Sequence, residues 1–182
     1  MSGRCAGYKP GVNGSDSGVA NRFLEIYLRD HHAAGTAGVG LAKRAAAGTS
    51  LGPPAQSELS EIATRIEEDL HTLEALMAAL GVERSASRDT AAALAERFAR
   101  LKSNGTLVKR SPLSDVIELE ALASGILAKE ALWISLSVGG PGLAGVDLGA
   151  LVERARQQRE TVESWRRAAA ARAFDHPADP RA

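Results

Sequence analysis

The sequence predicts an all-α protein. Five segments are dense in Ala, Leu, Glu and Arg and repeat apolar residues every three to four positions, as amphipathic helices do. The segments span residues 19–47, 56–80, 87–102, 112–138 and 147–174. Stretches rich in glycine, proline or serine separate them, and no stretch shows the alternation typical of a strand. We therefore expect four long helices and one short one.

Residues at the starts of these segments support the helical interpretation. Side chains that favour helix N-termini stand where four of the segments begin. They are Ser57, with Glu58 and Glu61 in the first turn, Ser87, Ser111 before Pro112, and Asp147.

Length and composition indicate one domain. The chain has 182 residues, of which 45% are hydrophobic, enough for one full core. Residues 1–18 are rich in Gly and Ser without periodicity, so we expect a disordered leader there. The helical-bundle domain is predicted over 19–174, followed by a flexible tail over 175–182.

Net charge and targeting signals indicate which partners and which cellular location to expect. The 22 basic and 22 acidic residues cancel, which argues against a nucleic-acid or membrane partner. No run of 18 apolar residues and no signal-peptide core is found, so we expect a cytoplasmic protein. The single cysteine, Cys5, excludes an internal disulfide.

Each of the four long segments places a polar residue inside its apolar stripe. His31 lies near the centre of the first stripe, and Asp69 lies within the second, off its centre by roughly 40°. In the fourth segment, Glu120 is close to the middle of a stripe that contains Leu113, Val116, Ala123, Leu127, Ala131 and Ile134. Unpaired burial costs several kcal/mol, so we expect these groups to meet in one buried polar layer.

The last segment leaves two alternatives open, because either Arg159 or its neighbour Gln158 interrupts the stripe. An inward Arg159 would neutralise a carboxylate without a metal and repel a second cation. An inward Gln158 would leave the acids uncompensated and favour a metal. The predicted layer is therefore His31, Asp69, Glu120 and Arg159, with Gln158 as the alternative.

Three stretches carry a resemblance to a known family. LEIYLRDHHAAGTAGVGLAKR (24–44), IEEDLHTLEALMAALG (66–81) and SPLSDVIELEALASGILAKEALW (111–133) resemble an uncharacterised actinobacterial family of the ferritin-like superfamily. The resemblance implies an antiparallel four-helix bundle with a short extra helix between its two hairpins. Iron-binding members use a Glu from each of two helices and a Glu-x-x-His from each of the others. Here only Glu68-x-x-His71 has that spacing, and both residues point away from the predicted core.

These features favour a non-catalytic binding or interaction module that acts as a homodimer without a cofactor. The alternative is a carboxylate-bridged di-metal protein, an oxidoreductase that binds iron or manganese. His31, Asp69 and Glu120 would then be the first ligands, and Glu25 or Glu130 would complete the site. The sequence alone does not choose between an enzyme and a binding protein.

Overall fold

A computed structural model describes residues 17–84, 112–139 and 145–175, with side chains from residue 22 in the first range and 113 in the second. Four α-helices make up most of these residues, and the described part of the chain contains no strand. The helices are α1 (Ser17–Gly48), α2 (Pro53–Ala79), α3 (Pro112–Gly139) and α4 (Leu148–Phe174). The all-α prediction and the four long helices are thus confirmed. The predicted helix over 87–102, most of the predicted leader and most of the tail lie outside the described residues.

The start of α2 differs from the prediction, which placed the cap at Ser57. Gly52 is the residue before the helix and adopts a φ of 98°, and Pro53 and Pro54 form the first turn. Proline suits these positions because the first helical N–H groups have no partner within the helix. At α4, the Asp147 side chain accepts a hydrogen bond from the Ala150 N–H at 2.8 Å, as a cap does.

Contacts between side chains define how the helices pack. α1 packs against α2 and α3, and α4 packs against α3 and α2. In each of these four helix pairs, residue numbers fall along one helix as they rise along the other. The contacts are Lys43 with Glu67 and His32 with Glu74, Tyr27 with Ser135 and Ser50 with Asp115, Glu58 with Trp165 and Asp69 with Arg154, and Lys129 with Gln158 and Glu130 with Arg156.

Two apolar clusters fill the interior of the described helices. One cluster surrounds Leu59, Leu119 and Val162, and the other surrounds Leu28, Met77 and Trp133. On α2, the first cluster ends at Ile66 and the second begins at Leu73. Asp69 lies between them, so the core is divided by a polar level.

The orientation predicted for α3 is wrong. Leu113, Leu127 and Ile134 were expected inside but are 44%, 54% and 39% exposed. The buried side is formed instead by Leu119, Leu122, Ile126, Trp133 and Leu136. Because α3 is apolar on both sides, hydrophobic periodicity does not determine which side faces the core.

The same composition makes α3 long and apolar enough to cross a membrane, judged by length and composition alone. Within Leu113–Gly139 the most apolar 18-residue window has a mean hydropathy of 1.4, and the core helix of a soluble protein passes the same test. Only 33% of the apolar window is buried within the chain. Much of its apolar surface therefore faces outward.

Candidate functional site

A buried carboxylate forms the centre of the polar level. Asp69, predicted to face the core, is 1% exposed and lies on the buried side of α2 with Ile66 and Leu73. Its Oδ2 accepts a hydrogen bond from Lys129 Nζ on α3, and its Oδ1 accepts one from Arg154 Nη2 on α4. Both carboxylate oxygens therefore bind a cation of the chain itself.

Gln158 completes the cluster from α4. The side chain is 2% exposed, and its Oε1 accepts a hydrogen bond from Lys129 Nζ at 2.5 Å. Its Nε2 lies 3.5 Å from Asp69 Oδ2, at the limit of hydrogen bonding. We refer to Asp69, Lys129, Arg154 and Gln158 as the ion cluster. It connects α2, α3 and α4 through hydrogen bonds among these four side chains.

The charges of the ion cluster are nearly balanced. Burial lowers the pKa of the Lys129 ammonium, and the adjacent Asp69 carboxylate offsets part of this effect. Glu68 Oε2 lies 3.8 Å from Arg154 Nη1 and supplies a second, more exposed negative charge. With two cations facing it, the Asp69 carboxylate is poorly placed to bind a divalent metal or to accept a proton from a substrate.

The structure resolves the choice between Arg159 and Gln158. Gln158 faces inward, whereas the Arg159 side chain is 39% exposed and lies beside Glu130 on α3. The prediction of Arg159 as the internal counter-charge is therefore wrong. A helix turns by about 100° per residue, so only one of the two neighbours can point between α2 and α3.

Glu130 forms a second ion pair at the edge of the interface between α3 and α4. Its Oε1 accepts a hydrogen bond from Arg156 Nε at 2.8 Å. Its Oε2 lies 3.6 Å from Arg159 Nε, and neither of these two buried atoms has a hydrogen-bond partner. Glu130, predicted as a reserve metal ligand, is thus bound by an arginine.

The other predicted ligands do not join Asp69. Glu120 was expected inside, but it is exposed because α3 is turned the other way. His31 is half-buried and packs edge-on against Tyr27, with 4.5 Å between the ring centres. Burial lowers the pKa of its imidazole. Glu25 lies on the surface, 3.8 Å from Arg29.

Metal-ligating side chains are dispersed over the described residues. Within those ranges, no group of three His, Cys, Asp or Glu side chains is arranged to hold a metal ion. Glu68 and His71, the one pair with ferritin-like spacing, are both exposed. The ligand set proposed from the sequence is therefore not assembled by the described part of the fold.

Histidine and carboxylate do meet at one place outside the core. The His32 Nε2 lies 3.0 Å from Glu74 Oε1, between α1 and α2, and Arg84 Nη1 lies 3.1 Å from Glu74 Oε2. The hydrogen bond with His32 lowers the pKa of the Glu74 carboxyl. These contacts form an ion pair between helices, and no third metal-ligating side chain joins them among the described residues.

A shallow pocket of about 350 Å³ borders the ion cluster where α4 begins. Arg154 belongs to both, and its Nε is buried without a hydrogen-bond partner. The remaining lining residues are Thr72, Gly145, Val146, Asp147, Ala150 and Leu151. The pocket is too open to solvent to form a binding site by itself.

Sequence reasoning missed Lys129 and Arg154, which carry the positive charges of the cluster. Lys129 is the one basic residue of α3, within an apolar stretch, and that isolation was the available signal. Arg154 gave no such signal because α4 contains many arginines, and only the packing of α2 shows which one reaches Asp69.

A contrasting surface covers the outside of α3. We define the outer face as Ser124, Leu127, Ala128, Ala131, Ile134 and Val138, all of which are exposed. The only ionisable residues over 121–139 are Lys129 and Glu130, and both are held inward by the contacts described above. The outer face therefore carries no charge between Ser124 and Val138, and Glu120, exposed one turn before Ser124, marks its charged end.

No family model, no curated protein and no solved structure matches this chain.

Proposed function

We propose that this protein is a non-catalytic helical-bundle interaction module whose polar core is structural. The observation that carries the proposal is the saturation of Asp69, since each of its oxygens accepts a hydrogen bond from a cation of a neighbouring helix. A buried acid held in this way aligns helices and is not available for a ligand. Binding then falls to the exterior, where the outer face of α3 holds three of the seven large apolar side chains that are exposed among the described residues.

The donor chemistry of the core argues against a resident metal. A divalent cation at Asp69 would lie beside Lys129 and Arg154 and would have to displace both. Di-metal carboxylate sites need several anionic or imidazole donors around each ion. We therefore propose that the protein works without iron, manganese or another cofactor.

We also propose a ferritin-like arrangement of the bundle, with antiparallel neighbours and a short extra helix over 87–102. The opposed numbering of contacting residues on each helix pair supports the antiparallel part. The chain leaves α2 beside α1, where Arg29 Nε donates to the Glu83 carbonyl, and re-enters α3 beside Ser50. Residues 85–111 must therefore connect opposite ends of the bundle, as the long connection of a ferritin-like bundle does. Cytoplasmic placement and homodimer formation belong to the same proposal.

Metal content tests the proposed absence of a metal centre. Protein purified without chelators and without a histidine tag should contain well under one iron, manganese or zinc per chain by elemental analysis. Added ferrous iron should not bind in a fixed ratio to the chain, and it should produce no oxygen-dependent near-ultraviolet absorption band.

The contrary result has a specific form. Two metals per chain that are lost in Asp69→Asn but retained in Glu68→Gln would overturn the proposal and support a carboxylate-bridged metal protein. Circular dichroism on both variants separates loss of metal from loss of fold.

A further inference from the structure

We infer that the outer face of α3 binds the same face of a second copy of this chain, in an antiparallel, two-fold contact. The inference rests on the proposed interaction function and homodimer, and it names the surface and the geometry through which the two copies meet. Its starting point is residues 121–139 of α3, which are apolar on their exposed side as well as on most of their buried side, whereas the exposed side of a helix is normally polar. Here Val138 is 84% exposed and Leu127 is more than half exposed.

The spacing of the outer face is that of a helix-packing seam. Ser124, Leu127, Ala131, Ile134 and Val138 follow one another at intervals of three and four residues. This pattern keeps one side of a helix against another helix over several turns. Such a seam fits a partner helix better than it fits a loop or a small molecule.

The absence of charge favours a second copy over a different protein. A two-fold contact places the same surface patch on both sides, so any charge near the axis meets an identical charge. The outer face avoids this repulsion because Lys129 and Glu130 turn inward. The exposed sides of the other helices carry charges, for example Arg44 on α1, Glu61 on α2 and Arg167 on α4.

Side-chain size supports an axis at Ala131. In an antiparallel pair centred there, Ile134 lies opposite Ala128, and Val138 lies opposite Ser124. Each large residue thus faces a small one, which allows the helix axes to approach to about 8 Å. Nothing lies within 4 Å of a Cβ placed on Gly125, so the neighbouring surface is also open.

The apolar surface continues onto α1 and reaches a size suited to a dimer. Tyr27 Oη donates to Ser135 Oγ, which sets the start of α1 beside the end of α3. Phe23 and Ile26, near Tyr27, are 67% and 46% exposed. Together with the outer face they can form the apolar centre of an interface of about 800 Å² per subunit, with charged residues at its rim.

The test uses the full chain and one matched control. Analytical ultracentrifugation should show a dimer for the wild type. Ala131→Glu puts two like charges at the axis and should weaken dimerisation at least about a hundredfold. Ala75→Glu, the same change at an exposed position of α2, should leave the dimer intact. Both variants should keep the wild-type circular dichroism.

A cysteine probe extends the test. In a Cys5→Ser background, Ala131→Cys should form a disulfide-linked dimer under mild oxidation, and Ala75→Cys should not. Alkylation of the new thiol at position 131 should be slow in the dimer and accelerate on dilution.

A monomeric wild type would overturn the inference, and the alkylation rate would then show how far the failure extends. Fast alkylation would mean that the outer face is open, so the interaction function would survive with another partner. Slow alkylation would mean that residues 85–111 cover the face, and the interaction function would fail with the inference. A monomer that sediments with phosphatidylcholine vesicles, but not after Ala131→Glu, would show that the face binds membrane instead.

Discussion

Over residues 121–139, the two sides of α3 differ in an unusual way: the charged residues lie inside, and the exposed side is apolar. The side that faces α2 and α4 holds both ionisable residues of the stretch 121–139, whereas the side that faces outward holds Leu127, Ile134 and Val138. Lys129 points inward, where Asp69 on α2 and Gln158 on α4 accept hydrogen bonds from its ammonium group. The difference teaches that specific polar contacts can orient a helix whose apolar residues have no preferred side.

The two sides also differ in what they can contribute. On the inner side, burial of Lys129 costs free energy that only its partners offset, so the ion cluster fixes the register of α2, α3 and α4. On the outer side, exposed apolar groups gain free energy only when another surface covers them. The inner side therefore specifies the fold, and the outer side is available for association.

The largest expected loss of unfolding free energy follows from removing the Asp69 carboxylate. Asp69→Ala leaves Lys129 and Arg154 without a counter-charge in the core, and loss of one partner from a buried pair costs about 3–5 kcal/mol. Chemical denaturation should show a loss of unfolding free energy in that range. Glu68→Ala, at the exposed neighbouring position, should change it by less than about 0.5 kcal/mol.

Similar losses in the two variants would contradict this view of the cluster. They would mean that the Asp69 contacts contribute no more than a surface ion pair. The ion cluster would then add no stability to the core and would not fix the register of α2, α3 and α4.

The sequence was sufficient to predict the four long helices and the buried position of Asp69. The stripe of α2 is unambiguous because residues such as Glu61, Arg65 and Glu68 occupy its other side. A carboxylate that interrupts a stripe so clearly must face the core. For the same reason, Glu68 and His71 were correctly expected at the surface.

The second prediction compares an inner and an outer leucine on the same helix. Leu132 is 2% exposed and packs with Met77 and Trp133. Leu132→Ala should therefore cost about 3 kcal/mol of unfolding free energy through lost burial and the cavity left behind. Leu127→Ala should cost less than about 1 kcal/mol, because its side chain is already exposed within the subunit.

The comparison must be made at a concentration where the protein is monomeric, since the inferred dimer would bury Leu127. Equal costs in the monomer would show that α3 packs with its other side inward. Such a result would mean that α3 has no buried and exposed side as described, and the assignment of the outer face would fail.

The orientation of α3 and the composition of the ion cluster could not be predicted from the sequence. A stripe through Leu113, Glu120 and Leu127 has the same helical spacing as one through Leu119, Ile126 and Trp133. The choice depends on contacts between residues distant in sequence, such as Lys129 with Asp69, 60 positions away. The assignment of Arg159 failed similarly, because Gln158 and Arg159 both border the apolar stripe of α4 and only contacts with other helices show which of them faces inward.

The smallest effect concerns Glu130, at the boundary between the two sides of α3. Arg156 donates a hydrogen bond of 2.8 Å to this carboxylate, whereas Arg159 approaches it only to 3.6 Å. Arg156→Ala should lower Tm by about 2 °C, because it removes a charge-assisted hydrogen bond that solvent partly screens. Arg159→Ala should lower Tm by less, since it removes only a longer-range attraction. Thermal unfolding of both variants, with Glu130→Gln to measure the whole contribution of the carboxylate, checks the order. If Arg159→Ala is the more damaging change, Arg159 is the main counter-charge of Glu130, and the hydrogen bond from Arg156 contributes little to stability.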